Sequence, residues 1–157
     1  MGIQIKRPKA GKLIFFALLS LLLLGVSSSW AIVVTSTADS GAGTLRGAIT
    51  TANADGVATV ITFDPTVFPP PPASPGVISL GTALPILRGT GDTIDGTGAG
   101  VVIDCSGLPA NTIGLQIPRS NITIRGLTIE NIPGDGIRVV TEAGVTSVTG
   151  VVIDSNH

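Results

Sequence analysis

"NITIRGLTIENIPGDGIRVV", Asn121 to Val140, is the stretch on which the reading of this chain turns. It holds three short runs in which apolar and polar residues alternate, each broken after four or five residues by Gly, Asn or Pro. No Asn-Gly joins them as a two-residue hairpin. The alternation slips between Ile124 and Leu127, at Arg125-Gly126. A slip of phase at a glycine is what a corner between two flat faces produces. The runs then read as sides of a coil whose pairing partners lie one turn away.

Working outward, the same pattern returns. "GVVID" stands at 100–104 and again at 150–154, with "GLTIE" at 126–130 between them, at spacings of 26 and 24 residues. A second series, "GLQI" at Gly114 and "GIRV" at Gly136, is offset from the first and spaced by 22. Two interleaved series of short strands with a period near two dozen residues predict a parallel β-solenoid. Val101 and Ile103, Leu127 and Ile129, and Val151 and Ile153 each share a face by strand alternation. Each pair is expected to stack on the next about 4.8 Å away. Asn131, Pro133, Gly134 and Gly136 then turn the coil. A leucine-rich repeat has a similar period but needs more Leu per unit than this chain has.

Upstream, "DSGAGTLRGAITTAN" changes period. Leu45, Ala48, Ile49 and Ala52 follow the i, i+3, i+4, i+7 spacing of one helix face. Thr44 can cap the start of this helix and Asn53 can end it. A solenoid must cover its open end, and an amphipathic helix over the first coil does so. "ATVITF" and "GVISL" read as strands. Between them "DPTVFPPPPASPG" reads as a loop thrown out from the coil, with Pro69 to Pro72 extended as polyproline.

The first 31 residues have the layout of a secretory signal peptide: Lys6, Arg7, Lys9 and Lys12, then the apolar run 13–26, then Ser29-Trp30-Ala31 for cleavage. The apolar run would span about 21 Å as a helix, short of a hydrocarbon core of about 30 Å. All three lysines lie in this segment; beyond it, five arginines face ten acids, a formal charge of −5. An acidic chain without lysine lacks the basic footprint of a nucleic-acid binder. Only Phe63 and Phe68 remain as aromatics after residue 31, so the core must be filled with Ile, Val, Leu and Ala. The lone Cys105 can form no internal disulfide and reads as a small buried apolar residue.

The stretch 33–63, "VVTSTADSGAGTLRGAITTANADGVATVITF", followed by "LPIL" and "DTIDGTG", resembles the start of large bacterial exported right-handed parallel β-helix proteins. Many of these carry a segment named for a Cys-Ser-Leu-Arg-Glu-Ala motif. Here it is matched by Gly43-Thr44-Leu45-Arg46-Gly47-Ala48, with departures at the Cys position and at Gly47, where the motif has Glu. The resemblance implies an all-β, right-handed parallel β-helix with a short N-terminal capping helix, exported to the cell surface or beyond. It also implies that the chain, which stops inside a repeat at "VVIDSNH", is the N-terminal piece of a longer protein. The expected organisation is a signal peptide over 1–31, an N-terminal cap over 32–64 with its helix at 44–53, a Pro-rich loop over 65–76, and β-helix coils over 77–157.

The same superfold houses pectate lyases, which use clustered acids to hold Ca²⁺ and an Arg or Lys as base. Asp104, Glu130 and Asp154 occupy one place in successive repeats and are expected to form a vertical acidic ladder. Two such carboxylates about 5 Å apart repel by roughly 0.8 kcal/mol in water, which a hard cation would relieve. The plainer reading is that all three sit at the wet end of a strand. Asp92 and Asp95, in "GDTIDGTG", are further candidate Ca²⁺ ligands, although Asp beside Gly is also ordinary turn chemistry. Arg119, Arg125 and Arg138 flank the strands, and Arg125 or Arg138 is the candidate base. Arg is a costly base at its usual pKa, and pairing with nearby acids is simpler. The only His is His157, so His-based schemes have no second member.

These readings lead to an exported structural or adhesive module, with an extracellular polysaccharide or cell-surface ligand as its expected partner and no nucleic acid. Membrane contact is expected only through the uncleaved signal segment. The alternative is a Ca²⁺-dependent polysaccharide lyase of the pectate lyase type; no other cofactor is expected.

Overall fold

The structure, a computed structural model, describes Gly2 and residues 30–157. The expected signal segment therefore lies outside the described residues, apart from Gly2, Trp30 and Ala31. The first strand, β1 (Trp30–Val34), already includes the two residues before the expected cleavage point. After it come the helix α1 (Leu45–Asp55) and the strands β2 (Thr59–Phe63), β3 (Gly76–Ser79), β4 (Thr93–Asp95) and β5 (Val101–Asp104). They are followed by β6 (Leu115–Ile117), β7 (Thr123–Arg125), β8 (Thr128–Glu130), β9 (Ile137–Val139) and β10 (Val152–Asp154).

All pairings are parallel and connect strands distant in sequence. The chain visits three faces in turn. A large sheet has the order β1-β2-β4-β7-β10, a second has β3-β5-β8, and a third has β6-β9. This is the expected parallel β-solenoid, mostly β with one short helix. The corner expected at Gly126 is present: β7 lies in the large sheet and β8 in the second, with Gly126 at φ +67° between them. A Cβ there would stand 2.5 Å from the Thr97 nitrogen of the coil above, so the position needs Gly for space as well as for backbone sign.

The repeat is looser than the sequence suggests. In the large sheet, register carries Ile61 to Ile94, Ile124 and Ile153, steps of 33, 30 and 29 residues. In the second sheet Ile78, Ile103 and Ile129 are 25 and 26 apart. In the third, Leu115 meets Ile137, a step of 22, as the offset series implies. Strand registers hold while the connections change length.

The core is a column of aliphatic side chains inside the coil. Ile61, Ile94 and Ile124 are buried on the large sheet, Ile78, Ile103 and Ile129 on the second, and Leu115 and Ile117 on the third. Each fully buried side chain of this size is worth about 1.5–3 kcal/mol relative to exposure. Cys105 is buried among them, and burial pushes its thiol pKa up, with Asp104 adding to the shift.

α1 behaves as the spacing predicts. Leu45, Ala48, Ile49 and Ala52 are its buried residues, and the Thr44 hydroxyl accepts from the Gly47 N–H at 3.1 Å. The helix runs two residues past Asn53 and ends at Gly56 in the left-handed region. Asn53 has a different task. Its amide donates to the Ile86 carbonyl and its oxygen accepts from the Arg88 and Gly89 N–H groups.

The Pro-rich segment departs from expectation. Phe68 is fully buried and meets Phe63 edge to face with centroids 5.1 Å apart. The N–H of Ala73 donates to the Pro70 carbonyl, closing a turn inside the proline run. The segment is thus anchored in the core at one end and turned at its tip, because one aromatic in it outweighs the polyproline preference around it.

Candidate functional site

The expected acidic ladder resolves into two places. Asp104 and Glu130 are register partners at the ends of β5 and β8. Asp154 is not the next rung: β10 joins the large sheet, and Asp154 stands beneath Arg125. The correction has a simple cause. "GVVID" at 150–154 repeats the letters of 100–104, but the long connection after β9 delivers it to a different face.

Asp104 is already engaged. Its carboxylate accepts from the Asn131 amide at 2.9 Å and from the N–H and hydroxyl of Ser106, both at 3.0 Å. These bonds, Asn131 first, hold its pKa below the ordinary carboxylate value. Glu130 is exposed beside it.

Asp92 and Asp95 do not act together either. Asp92 precedes β4 and Asp95 ends it, and their carboxylates meet different partners. Asp92 is 3% exposed, and its Oδ1 accepts from the Thr59 N–H at 3.0 Å. Gly89 makes room for it, since a Cβ there would sit 1.8 Å from Oδ2. Burial raises the Asp92 pKa, the Thr59 bond opposes this, and Asp55 adds repulsion. Asp55 itself accepts from the Thr59 hydroxyl at 2.6 Å. Asp95 points outward and binds the Arg125 guanidinium at 2.6 Å, which lowers its pKa.

The candidate bases are both ion-paired. Arg125 is paired with Asp95, and that hydrogen bond and charge raise its pKa further, with Asp154 adding to the effect. A guanidinium gripped by a carboxylate gives up a proton less readily than a free one. Arg138 pairs with Asp135 three residues back. Arg119 and Arg88 share the carboxylate of Glu142, at 3.2 Å and 2.5 Å, and lower its pKa, Arg88 first. Arg46 pairs with Asp39 and also donates to the carbonyls of Asp39, Thr82 and Ala83. Each of the five arginines in the described residues is thus ion-paired. Among these residues no group of three or more His, Cys, Asp or Glu is arranged to hold a metal ion.

One feature had no clear signature in the sequence. A groove of about 400 Å³ lies between the Pro-rich segment and the corner of the large and second sheets, lined by Pro71, Pro75, Thr97, Gly100, Thr128 and His157 among others. It exists because the connection between these sheets shortens from coil to coil: 64–75, then 96–100, then 126–127. The longest connection overhangs the shortest. Unequal spacing within the repeat is the signal that could have revealed it. None of its lining residues is an acid or an arginine.

Neither a protein-family model nor a curated protein sequence matches this chain.

Proposed function

We propose that this protein is an exported or cell-surface β-solenoid whose part is structural and adhesive, holding an extracellular polysaccharide or surface ligand against its flat faces. The observation that carries the reading is the pairing of every arginine in residues 30–157 with a carboxylate. Charges committed in this way fix loops and coils to one another and leave no unpaired guanidinium that could lose its proton and serve as a base. The outer surfaces of stacked parallel strands form extended docking areas, and the groove beside the Pro-rich segment adds a concave one. The basic-then-apolar layout of residues 1–31 supports export, and the resemblance of the stretch 33–63 supports a right-handed, bacterial, pectate-lyase-like coil.

The test begins with fractionation of cells that make the full chain, followed by N-terminal sequencing of the product. The expected result is protein outside the cytoplasm beginning at Ile32, retained on isolated cell envelopes or on immobilised polysaccharide. Protein confined to the cytoplasm would overturn the export reading. Release of unsaturated oligosaccharides from polygalacturonate, dependent on Ca²⁺, would replace adhesion with the lyase alternative.

A further inference from the structure

Three successive coils leave the face of the third sheet at one corner. There the Leu87 N–H donates to the Gln116 carbonyl at 2.9 Å, and the Val140 N–H to the Ile117 carbonyl at 3.0 Å. Arg88, Arg119 and Glu142 follow one, two and three residues after Leu87, Ile117 and Val139, one on each coil. The Arg88 guanidinium grips the Glu142 carboxylate as a fork: Nη2 donates to Oε1 at 2.5 Å and Nε to Oε2 at 3.3 Å. Arg119 Nη1 stands 3.2 Å from Oε2 of the same group. Among the described residues this is the one place where two arginines share a single acid. Arg46, Arg125 and Arg138 each have an acid of their own. The charges that act on Glu142 are those of Arg88 and Arg119, with no acid among them. One positive charge is therefore left over at this corner, on a chain that carries a formal −5 beyond residue 31.

The two guanidinia have capacity to spare. Their side chains are 47% and 30% exposed. Among the described residues, Nη1 of Arg88 and Nε and Nη2 of Arg119 have no protein acceptor. The segment 141–148, which carries Glu142, makes no other hydrogen bond or ion pair to the rest of the described chain. Glu142 is thus a carboxylate brought by a loop into a site that two other coils make. All three residues precede β10. We propose that Arg88 and Arg119 bind the carboxylates of an acidic, uronic-acid polysaccharide, and that Glu142 is the internal carboxylate which such a ligand displaces. The proposal rests on the reading of this protein as a polysaccharide binder and names the class of polysaccharide. A carboxylate is the ligand because the pair already holds one, through both oxygens, in the fork geometry that suits guanidinium to carboxylate. A polymer displaces Glu142 more readily than a single small acid does, because it presents many carboxylates to one site. Elsewhere the acidic surface repels such a polymer, which confines the contact to this corner.

The test is calorimetric titration of protein from cells expressing the full 157-residue chain. The titrants are alginate, a soluble uronic-acid polymer, neutral dextran and poly-glutamate, all with chelator present to remove divalent cations. The wild type is expected to bind alginate weakly, because Glu142 competes, and more weakly still as salt is raised. Glu142→Gln keeps the side-chain shape and removes the competing charge, so its affinity for alginate is expected to rise about tenfold. Arg119→Ala in the Glu142→Gln background is expected to lose that gain. Asp135→Asn is the control, since it removes the same charge beside Arg138, where no second arginine is paired. It is expected to change the affinity less than about twofold. A Glu142→Gln affinity no higher than that of the wild type or of Asp135→Asn overturns the proposal, as does wild-type binding that ignores salt. Equal binding of alginate and dextran by every form overturns this site but leaves adhesion to polysaccharide standing. Binding of neither by any form overturns both. A gain with poly-glutamate but not with alginate assigns the pair to an acidic protein segment and overturns the polysaccharide.

Discussion

The inward and outward faces of the large sheet follow different rules. Inward, register stacks Ile32, Ile61, Ile94, Ile124 and Ile153, one residue type through every coil. Outward, one column reads Thr93, Thr123 and Val152, and the next reads Asp95, Arg125 and Asp154. A parallel coil has the same space at the same height on every turn, so close packing keeps the inward residue constant. Outside, each side chain need only suit the one above and below it. Opposite charges one rung apart do this, as Arg125 does between two aspartates. The fold is therefore carried by repetition and the surface by alternation, and substitutions on the two faces should differ accordingly.

The largest difference is expected at Ile94. Ile94→Ala leaves a cavity between two coils and should cost about 2–5 kcal/mol. Ile153→Ala, the same change at the exposed end of the column, should cost about 1 kcal/mol or less. Urea denaturation of both variants measures the contrast, and equal losses would contradict the assigned register. Next comes Arg46, 20% exposed in its side chain, which ties α1 to two carbonyls of the segment after β3 as well as to Asp39. Arg46→Ala should lose about 1.5–3 kcal/mol through its charge-assisted bonds. Arg46→Lys should recover little, since an ammonium cannot span the same acceptors. Arg125→Ala, on the outward column, should change stability by only about 0–1 kcal/mol.

A smaller effect sharpens the comparison through pH. Asp92 and Asp95 stand at the two ends of one short stretch, just before β4 and at its last residue, but their carboxyls are shifted in opposite directions. The raised pKa of Asp92 means that the folded state holds its proton longer than the unfolded state. The stability tied to it is complete below the unfolded carboxyl range and is lost as pH rises through the Asp92 titration. Asp95 acts in the reverse sense: its contribution is present above the unfolded range and is lost as pH falls through its lowered titration. Asp92→Asn keeps an acceptor for the Thr59 N–H and removes the ionisation. Its stability relative to wild type should therefore grow as pH is raised from the acid side, whereas Asp95→Asn should lose ground over the same rise. Parallel urea melts across the acid range check both slopes.

What was legible in the sequence follows the same division. The inward residues of α1, the corner at Gly126 and the pairing of "GLQI" with "GIRV" could be read because packing repeats or caps in recognisable periods. β1 was missed because Trp30 and Ala31 also fit the end of a signal peptide, and a short apolar run satisfies both readings. Asp154 reads as the next rung below Glu130 because its letters repeat, but the length of the connection after β9 decides its face and sets it beneath Arg125. Phe68 stands out in the sequence as a scarce aromatic, but the prolines around it hide its place in the core. The partners of Arg88 and Arg119 could not be read at all: Glu142 lies far along the chain and reaches them through coil geometry alone. Polar contacts between coils leave no period in the sequence.

The central claim is that the acids and arginines of this solenoid hold the coil together and are not reagents. Calorimetric titration with Ca²⁺ tests it most directly, because Asp104 and Glu130 are the candidate ligands that register does place side by side. The account predicts no saturable heat at millimolar Ca²⁺ and the same melting temperature with Ca²⁺ or with chelator. A saturable heat that disappears in Asp104→Asn or Glu130→Gln, with a melting temperature raised by Ca²⁺, would contradict it.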